Sequence, residues 1–191
     1  MTNTANTKGD TVKMKRQMIS IFLTASILTF CMISSSFAGG DRQLYSQAQT
    51  SVKLGQTDFA FMRYRELLLT YPNSKYKNGA LFGVAEYYFL NNNDKEAAVS
   101  FEKYISQNSD FKKKLFAYSY LLKMAKNQND QASQDKIIEA ILSLRQMGFV
   151  FDTSKEYHFD SSLGRHLKAI FTINTITFSI NDQPFVEASY E

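Results

Sequence analysis

The sequence predicts an all-α domain of about three helix pairs stacked as an α-α superhelix, followed by a short carboxy-terminal extension that contains a β-hairpin. Apolar residues recur at helical spacing from Asp41 to Met147, a stretch with Pro72 as its one proline. The helical segments come in twos, joined by short polar turns. Residue sizes also repeat 37 positions apart: Ala48 returns as Ala85, Ala60 as Ala97, and Tyr64 as the equally large Phe101.

The first 38 residues read as an export signal rather than as part of the fold. Lys13, Lys15 and Arg16 form a basic start, Ile19 to Ile33 is mostly apolar, and Ser36 and Ala38 are the small residues of a cleavage site that would leave Gly39 first. Met14 or Met18 offers an alternative start of translation. The apolar run is short for a membrane span, which needs about 20 residues. Leu28-Thr29-Phe30-Cys31 places a leucine three residues before a cysteine, but bulky Phe30 stands where a lipid-modified cysteine has a small neighbour. Cys31 therefore reads as one more apolar residue of the signal.

Removing that segment changes the charge. The whole chain carries 22 basic and 18 acidic residues, net +4; residues 39–191 carry 18 and 17, net +1. The basic excess thus belongs largely to the export segment and does not point to nucleic acid. Cys31 is the only cysteine, so the remainder has neither a disulfide framework nor a thiol nucleophile.

The helices follow in order. Leu44, Ala48 and Val52, with Tyr45 beside them, line the first, which Gly55-Gln56-Thr57-Asp58 interrupts; Phe59 to Tyr71 forms the second, stopped by Tyr71-Pro72-Asn73-Ser74. Leu81, Ala85 and Tyr88 stripe the third up to Asn91-Asn92-Asn93, and Asp94 is the expected cap of the fourth, through Tyr104. Leu115 to Lys126 and Asn129 to Arg145 make the third pair, with Asp130 as amino-terminal cap and Gly148 closing the last helix. One pair alone could not bury both faces of its helices, so stacking has a physical purpose.

This arrangement resembles the tetratricopeptide repeat. Leu44, Ala48, Gly55, Ala60, Tyr64, Leu67 and Pro72 stand at the signature spacing in the first unit, and Leu81, Ala85, Tyr88, Ala97, Phe101 and Tyr104 in the second, where Asn92 takes the turn-glycine place. The third unit is degenerate, with Ala117, Leu121, Met124, Ser133, Ile137 and Ala140. The linker Tyr71-Pro72-Asn73-Ser74-Lys75-Tyr76 resembles those of exported bacterial repeat proteins, such as the outer-membrane assembly lipoprotein of the barrel-insertion machine and the periplasmic cell-division coordinator.

After Gly148 the composition turns toward strands. Ile176, Phe178 and Ile180 alternate with Thr175, Thr177 and Ser179, Asn181-Asp182-Gln183-Pro184 is a turn, and Phe185 to Tyr190 returns as a partner strand. Ser162 to about Phe171 is compatible with helix as well as strand. The domain plan is therefore a signal over 1–38, the repeat domain over 39–147 and the extension over 148–191.

Little in the chain points to catalysis. His158 and His166, near Glu156 and Asp160, match no compact metal-ligand pattern and read as surface or interface residues. Gly79-Ala80-Leu81-Phe82-Gly83 lacks the end of a phosphate loop, no serine-nucleophile motif occurs, and Lys112-Lys113-Lys114 reads as a solvated helix start. No cofactor or metal is expected. The resemblance implies a concave groove lined by the first helix of each pair: Tyr45, Gln49 and Val52; Phe82, Glu86 and Phe89; Tyr118, Leu122 and Lys126. The expected function is an exported scaffold, in the periplasm or another exported compartment of a bacterium, that holds an envelope protein or peptide segment in this groove, with peripheral association to a membrane complex. The alternatives are a structural subunit that oligomerises through its carboxy-terminal strands, and an enzyme with a site near the two histidines.

Overall fold

In the computed structural model, residues 39–148 and 156–190 are described; the signal segment, Cys31 and the apolar burst Phe149-Val150-Phe151 lie outside them. Among the described residues six helices run in sequence: α1 (Gly40–Lys53), α2 (Thr57–Thr70), α3 (Lys77–Leu90), α4 (Asp94–Gln107), α5 (Phe111–Asn127) and α6 (Gln131–Gly148). Four strands follow: β1 (Glu156–Asp160), β2 (His166–Phe171), β3 (Thr175–Ile180) and β4 (Gln183–Ser189). The repeat reading holds, and the extension is an antiparallel meander of order β1-β2-β3-β4.

The alanines do what the spacing requires. Ala48, Ala60, Ala85 and Ala97 are each 0% exposed, so neighbouring helices approach where no larger side chain would fit. Tyr64 and Leu67 on α2, like Phe101 and Tyr104 on α4, fill the space one turn on. The aromatic row on α3 is helix packing: Tyr87 stacks on Phe61 at 4.0 Å, and Tyr88 meets the same ring edge-on at 5.2 Å.

The turns inside the three pairs share one backbone conformation. Gly55, Asn92 and Asn129 have φ of 72°, 55° and 55°. The next residue's N–H reaches back to Ser51, Tyr88 and Ala125 at 2.8, 2.9 and 3.0 Å, the closing bond of a left-handed helix end. These positions advance by 37 each time, which makes the degenerate third pair a repeat of the same construction. Asparagine tolerates positive φ better than other residues with a Cβ, and so replaces glycine twice.

Capping follows expectation in one of two places. Asp130 accepts from the Ser133 N–H at 3.1 Å and its hydroxyl at 2.6 Å, as a cap should. Asp94 does not cap α4. It lies inside the first turn, and Asn93 holds the cap position without a side-chain bond. Asp110 caps α5, accepting from the Lys112 and Lys113 N–H groups. In the interunit linker, the Ser74 hydroxyl donates to Asp41 at 2.7 Å, and Tyr76 stacks on Tyr45 at 4.8 Å.

The predicted hairpin is β3–β4, closed by Asn181 and Asp182, both at positive φ, which matches the twist of the flanking strands. Two further strands precede it, so Ser162–Phe171 contains strand and turn, not helix. In β2, Leu167, Ala169 and Phe171 face inward while Ile170 points out. A small residue inside and an apolar one outside blur the alternation that marks a strand. Tyr157, Ile176, Phe178, Ile180, Val186 and Ala188 join the same inner face, in one core with Phe101, Tyr104, Leu115 and Phe116.

Candidate functional site

The inner side of the repeat array is covered by the chain's own sheet. Phe82 on α3 meets Phe159 of β1 edge-on at 4.9 Å, and Phe89 meets Phe185 of β4 at 5.8 Å. On α5, Phe116 stacks with Phe159 at 5.6 Å and Tyr120 lies 5.0 Å from Phe185. This double covering explains why Ala80 to Glu86 are all buried, seven consecutive residues of one helix.

The turn between β1 and β2 enters the groove between α1, α2 and α3. The Ser162 carbonyl oxygen accepts from the Tyr64 hydroxyl at 2.8 Å and from Gln49 Nε2 at 3.1 Å, and Gln49 also donates to the Tyr64 oxygen. Leu163 is buried among Leu44, Ala48, Ala60 and Val84. Two glycines permit the approach. A Cβ on Gly83 would lie 2.8 Å from the Tyr64 ring and 3.2 Å from Ser162 Cβ, and one on Gly164 (φ 74°) would lie 3.1 Å from Val52.

Glu86 sits at the centre, 0% exposed. Oε1 accepts from the Tyr120 hydroxyl at 2.5 Å, whereas Oε2 has no hydrogen-bond partner. Burial pushes the Glu86 carboxyl above its ordinary value. The Tyr120 hydroxyl, Ser161, Arg165 and the Leu163 N–H oppose that rise, although none bonds Oε2 with proper geometry. Burial and the facing Glu86 drive the Tyr120 hydroxyl well above its usual range, so it stays a donor. Tyr64 is raised as well, chiefly by burial.

Six of the nine residues expected in the groove are together around this inserted turn and the sheet. Tyr45 packs on Tyr64 at 5.7 Å, Gln49 and Val52 meet the turn, and Phe82, Glu86 and Phe89 lie under it and the adjoining strands. The third-unit residues are not brought to that place. Tyr118 lines a separate cavity of about 420 Å³ with Ala98, Ile105 and Ile137 of α4 and α6. Leu122 is sealed in the helix–sheet core, and Lys126 is exposed at the end of α5. The 37-residue turn register makes Ser119 and Lys123 the counterparts of Phe82 and Glu86.

Tyr64, Gly83, Tyr120 and Ser161–Arg165 are not among the groove residues expected from the sequence. Tyr64 matched a packing position, and only Ser-Ser-x-Gly within 161–164 carried a turn signal.

The histidines lie elsewhere, on the outer face of β1 and β2. His158 Nδ1 and His166 Nε2 are 3.2 Å apart, Asp160 is 2.8 Å from His166 Nδ1, and Glu156 is 3.0 Å from His158 Nε2 and 2.7 Å from Lys168 Nζ. Cross-strand pairing accounts for this ladder. Among the described residues no group of three or more His, Cys, Asp or Glu could hold a metal ion. The basic run stays at the surface, with Lys113 paired to Asp110 at 3.3 Å and Lys112 over the Tyr157 ring.

The repeat geometry and the exported-type linker agree with a comparison against known families. The model of YfiO, an outer membrane lipoprotein family, matches residues 38–158. The chain belongs to that family. No curated protein matches it. The YfiO match spans all six helices and ends within β1, so β2, β3 and β4 lie beyond it. Membership implies an exported location in the cell envelope and a part in protein interaction or assembly there. Among the described residues no helix is long and apolar enough to cross a membrane.

Proposed function

We propose that this YfiO-family chain is a non-enzymatic scaffold, exported to the periplasm with cleavage near Ala38, that holds another envelope protein in the concave groove of its first two repeats. Tyr45, Gln49, Val52, Phe82, Glu86 and Phe89 are the residues proposed for that contact. One observation carries the reading: the groove already grips polypeptide. It supplies two donors to a backbone carbonyl, an apolar pocket to a leucine and aromatic walls to a strand, which are the elements of peptide recognition. The histidines form a surface ladder with Glu156 and Asp160 that cross-strand pairing accounts for, which favours this over catalysis.

A second reading places the partner on the outer face. Phe59, Met62 and Leu69 of α2 and Val99 of α4 are 60%, 60%, 78% and 59% exposed, and large apolar side chains in that state mark contact surfaces when they cluster. Oligomerisation through the strands is less favoured, because their inner face is spent on the chain's own helices and the outer face of β1 and β2 carries the charged ladder of Glu156, His158, Asp160, His166 and Lys168.

The test is partner recovery from envelope extracts with variants on each face. Val52→Arg should abolish recovery and Met62→Arg should leave it intact. The reverse pattern would move the site to the outer face, and no specific partner for any form would remove the scaffold reading.

A further inference from the structure

Resting on that groove reading, we infer that the β1–β2 turn is a built-in competitor: Ser161–Arg165 occupies the groove in the free chain, and a partner segment enters by displacing it. The entering segment then has the chemistry of what it replaces. It offers a bare backbone carbonyl to Tyr64 and Gln49, a leucine-sized side chain to the pocket of Leu44, Ala48, Ala60 and Val84, and, in place of Ser161 and Arg165, a hydroxyl or cationic group to Glu86.

The packing makes the turn separable from the sheet that carries it. Leu163 belongs to the hydrophobic cluster of α1, α2 and α3. Tyr157, Leu167, Ala169 and Phe171 of the adjoining strands belong to the other cluster, with α4 and α5. Withdrawing the turn therefore opens the first cluster and leaves the second closed. The docked turn is also an imperfect ligand. It helps to seal a carboxylate whose Oε2 lacks a partner, and an unsatisfied buried polar atom weakens whatever contact buries it. Tyr120 from α5, Tyr64 from α2 and Arg165 from the turn are the ionisable groups that act on that carboxylate.

The test locks the turn in place. In the full chain with Cys31→Ser, the pair Val52→Cys and Gly164→Cys is placed for a disulfide, since a Cβ on Gly164 would lie 3.1 Å from the Val52 Cγ1 position. The probe is a fluorescent peptide of this chain's residues 158–168, followed by anisotropy. The reduced chain should bind it at least tenfold more tightly than the oxidised one, and Leu163→Asp, which expels the turn, should bind more tightly than wild type. Equal affinity in both redox states overturns the competitor role while leaving groove binding intact. Absence of binding to every form, including a folded Leu163→Asp chain, removes the groove reading itself. Loss of the whole fold in Leu163→Asp also overturns the inference, because the turn is then not separable. Cysteine is strained at the positive φ of Gly164, so if the disulfide does not close the Leu163→Asp comparison decides, and affinity no tighter than wild type overturns the competitor role.

Discussion

The Tyr64 hydroxyl donates to the Ser162 carbonyl oxygen at 2.8 Å, joining residues 98 positions apart in the sequence. It fixes the tip of the β1–β2 hairpin to the second helix of the first repeat. Tyr64→Phe keeps the ring that packs against Gly83 and deletes the donor, leaving Gln49 as the carbonyl's partner. The expected loss is about 1–2 kcal/mol in chemical denaturation, the cost of weakening a buried hydrogen bond. Faster amide exchange should be confined to the turn.

Gly83 is required for contact rather than for conformation. Alanine there would drive its Cβ into the Tyr64 ring at 2.8 Å and toward Ser162 at 3.2 Å. Gly83→Ala should lower stability by about 1–3 kcal/mol through overpacking. Combining it with Ser162→Gly should recover part of that loss, as read from denaturation midpoints.

At the repeat turns, backbone conformation sets the preference. Asn92 and Asn129 hold φ of 55°, where glycine is freer and β-branched residues are strained. Asn92→Gly should change stability little, whereas Asn92→Val should cost roughly 1–2 kcal/mol. A similar loss at Asn129, measured by thermal melting, would confirm that the third turn follows the rule of the second.

Glu86 gives the fold a pH dependence of definite sign. Burial raises its carboxyl above the ordinary 4.5, so the folded chain holds that proton more tightly than the unfolded chain. The stabilising contribution is complete below pH 4.5 and is lost as pH rises through the folded value. Asp41, Asp130 and Glu156 have lowered values and act in the opposite sense, although they are solvent-exposed and count for little. The informative quantity is therefore a difference: Glu86→Gln should gain stability relative to wild type as pH rises above 4.5. A constant difference across pH 4 to 8 would show that Glu86 is not buried in solution.

Much of the array was legible because close helix packing leaves a direct mark on composition. Ala48, Ala60, Ala85 and Ala97 stood at fixed spacing and are all fully buried. The β3–β4 hairpin was legible from strict alternation and an asparagine–aspartate turn. The β2 strand was not, since Ala169 inside and Ile170 outside cancel the pattern, and β1 offers only Tyr157 and Phe159 as alternating apolar residues over five positions. The resemblance puts Glu86 in the groove, yet its burial depends on a turn 75 residues later, and no local signal reports a contact of that range. Tyr118 and Leu122 stand one short of the 37-residue turn register from Phe82 and Glu86, which puts Tyr118 on the cavity between α4 and α6, whereas Lys126 keeps the register of Phe89 and is exposed at the end of α5.

The most direct measurement is photo-crosslinking in the intact envelope, with a photoreactive amino acid at Val52 in one strain and at Met62 in another, followed by mass spectrometry of the adducts. The expected result is an adduct between position 52 and another envelope protein, alongside self-crosslinks to residues 161–165, with none to that protein from position 62. Self-crosslinks alone from position 52, together with a partner adduct from position 62, would contradict the concave groove as the binding face.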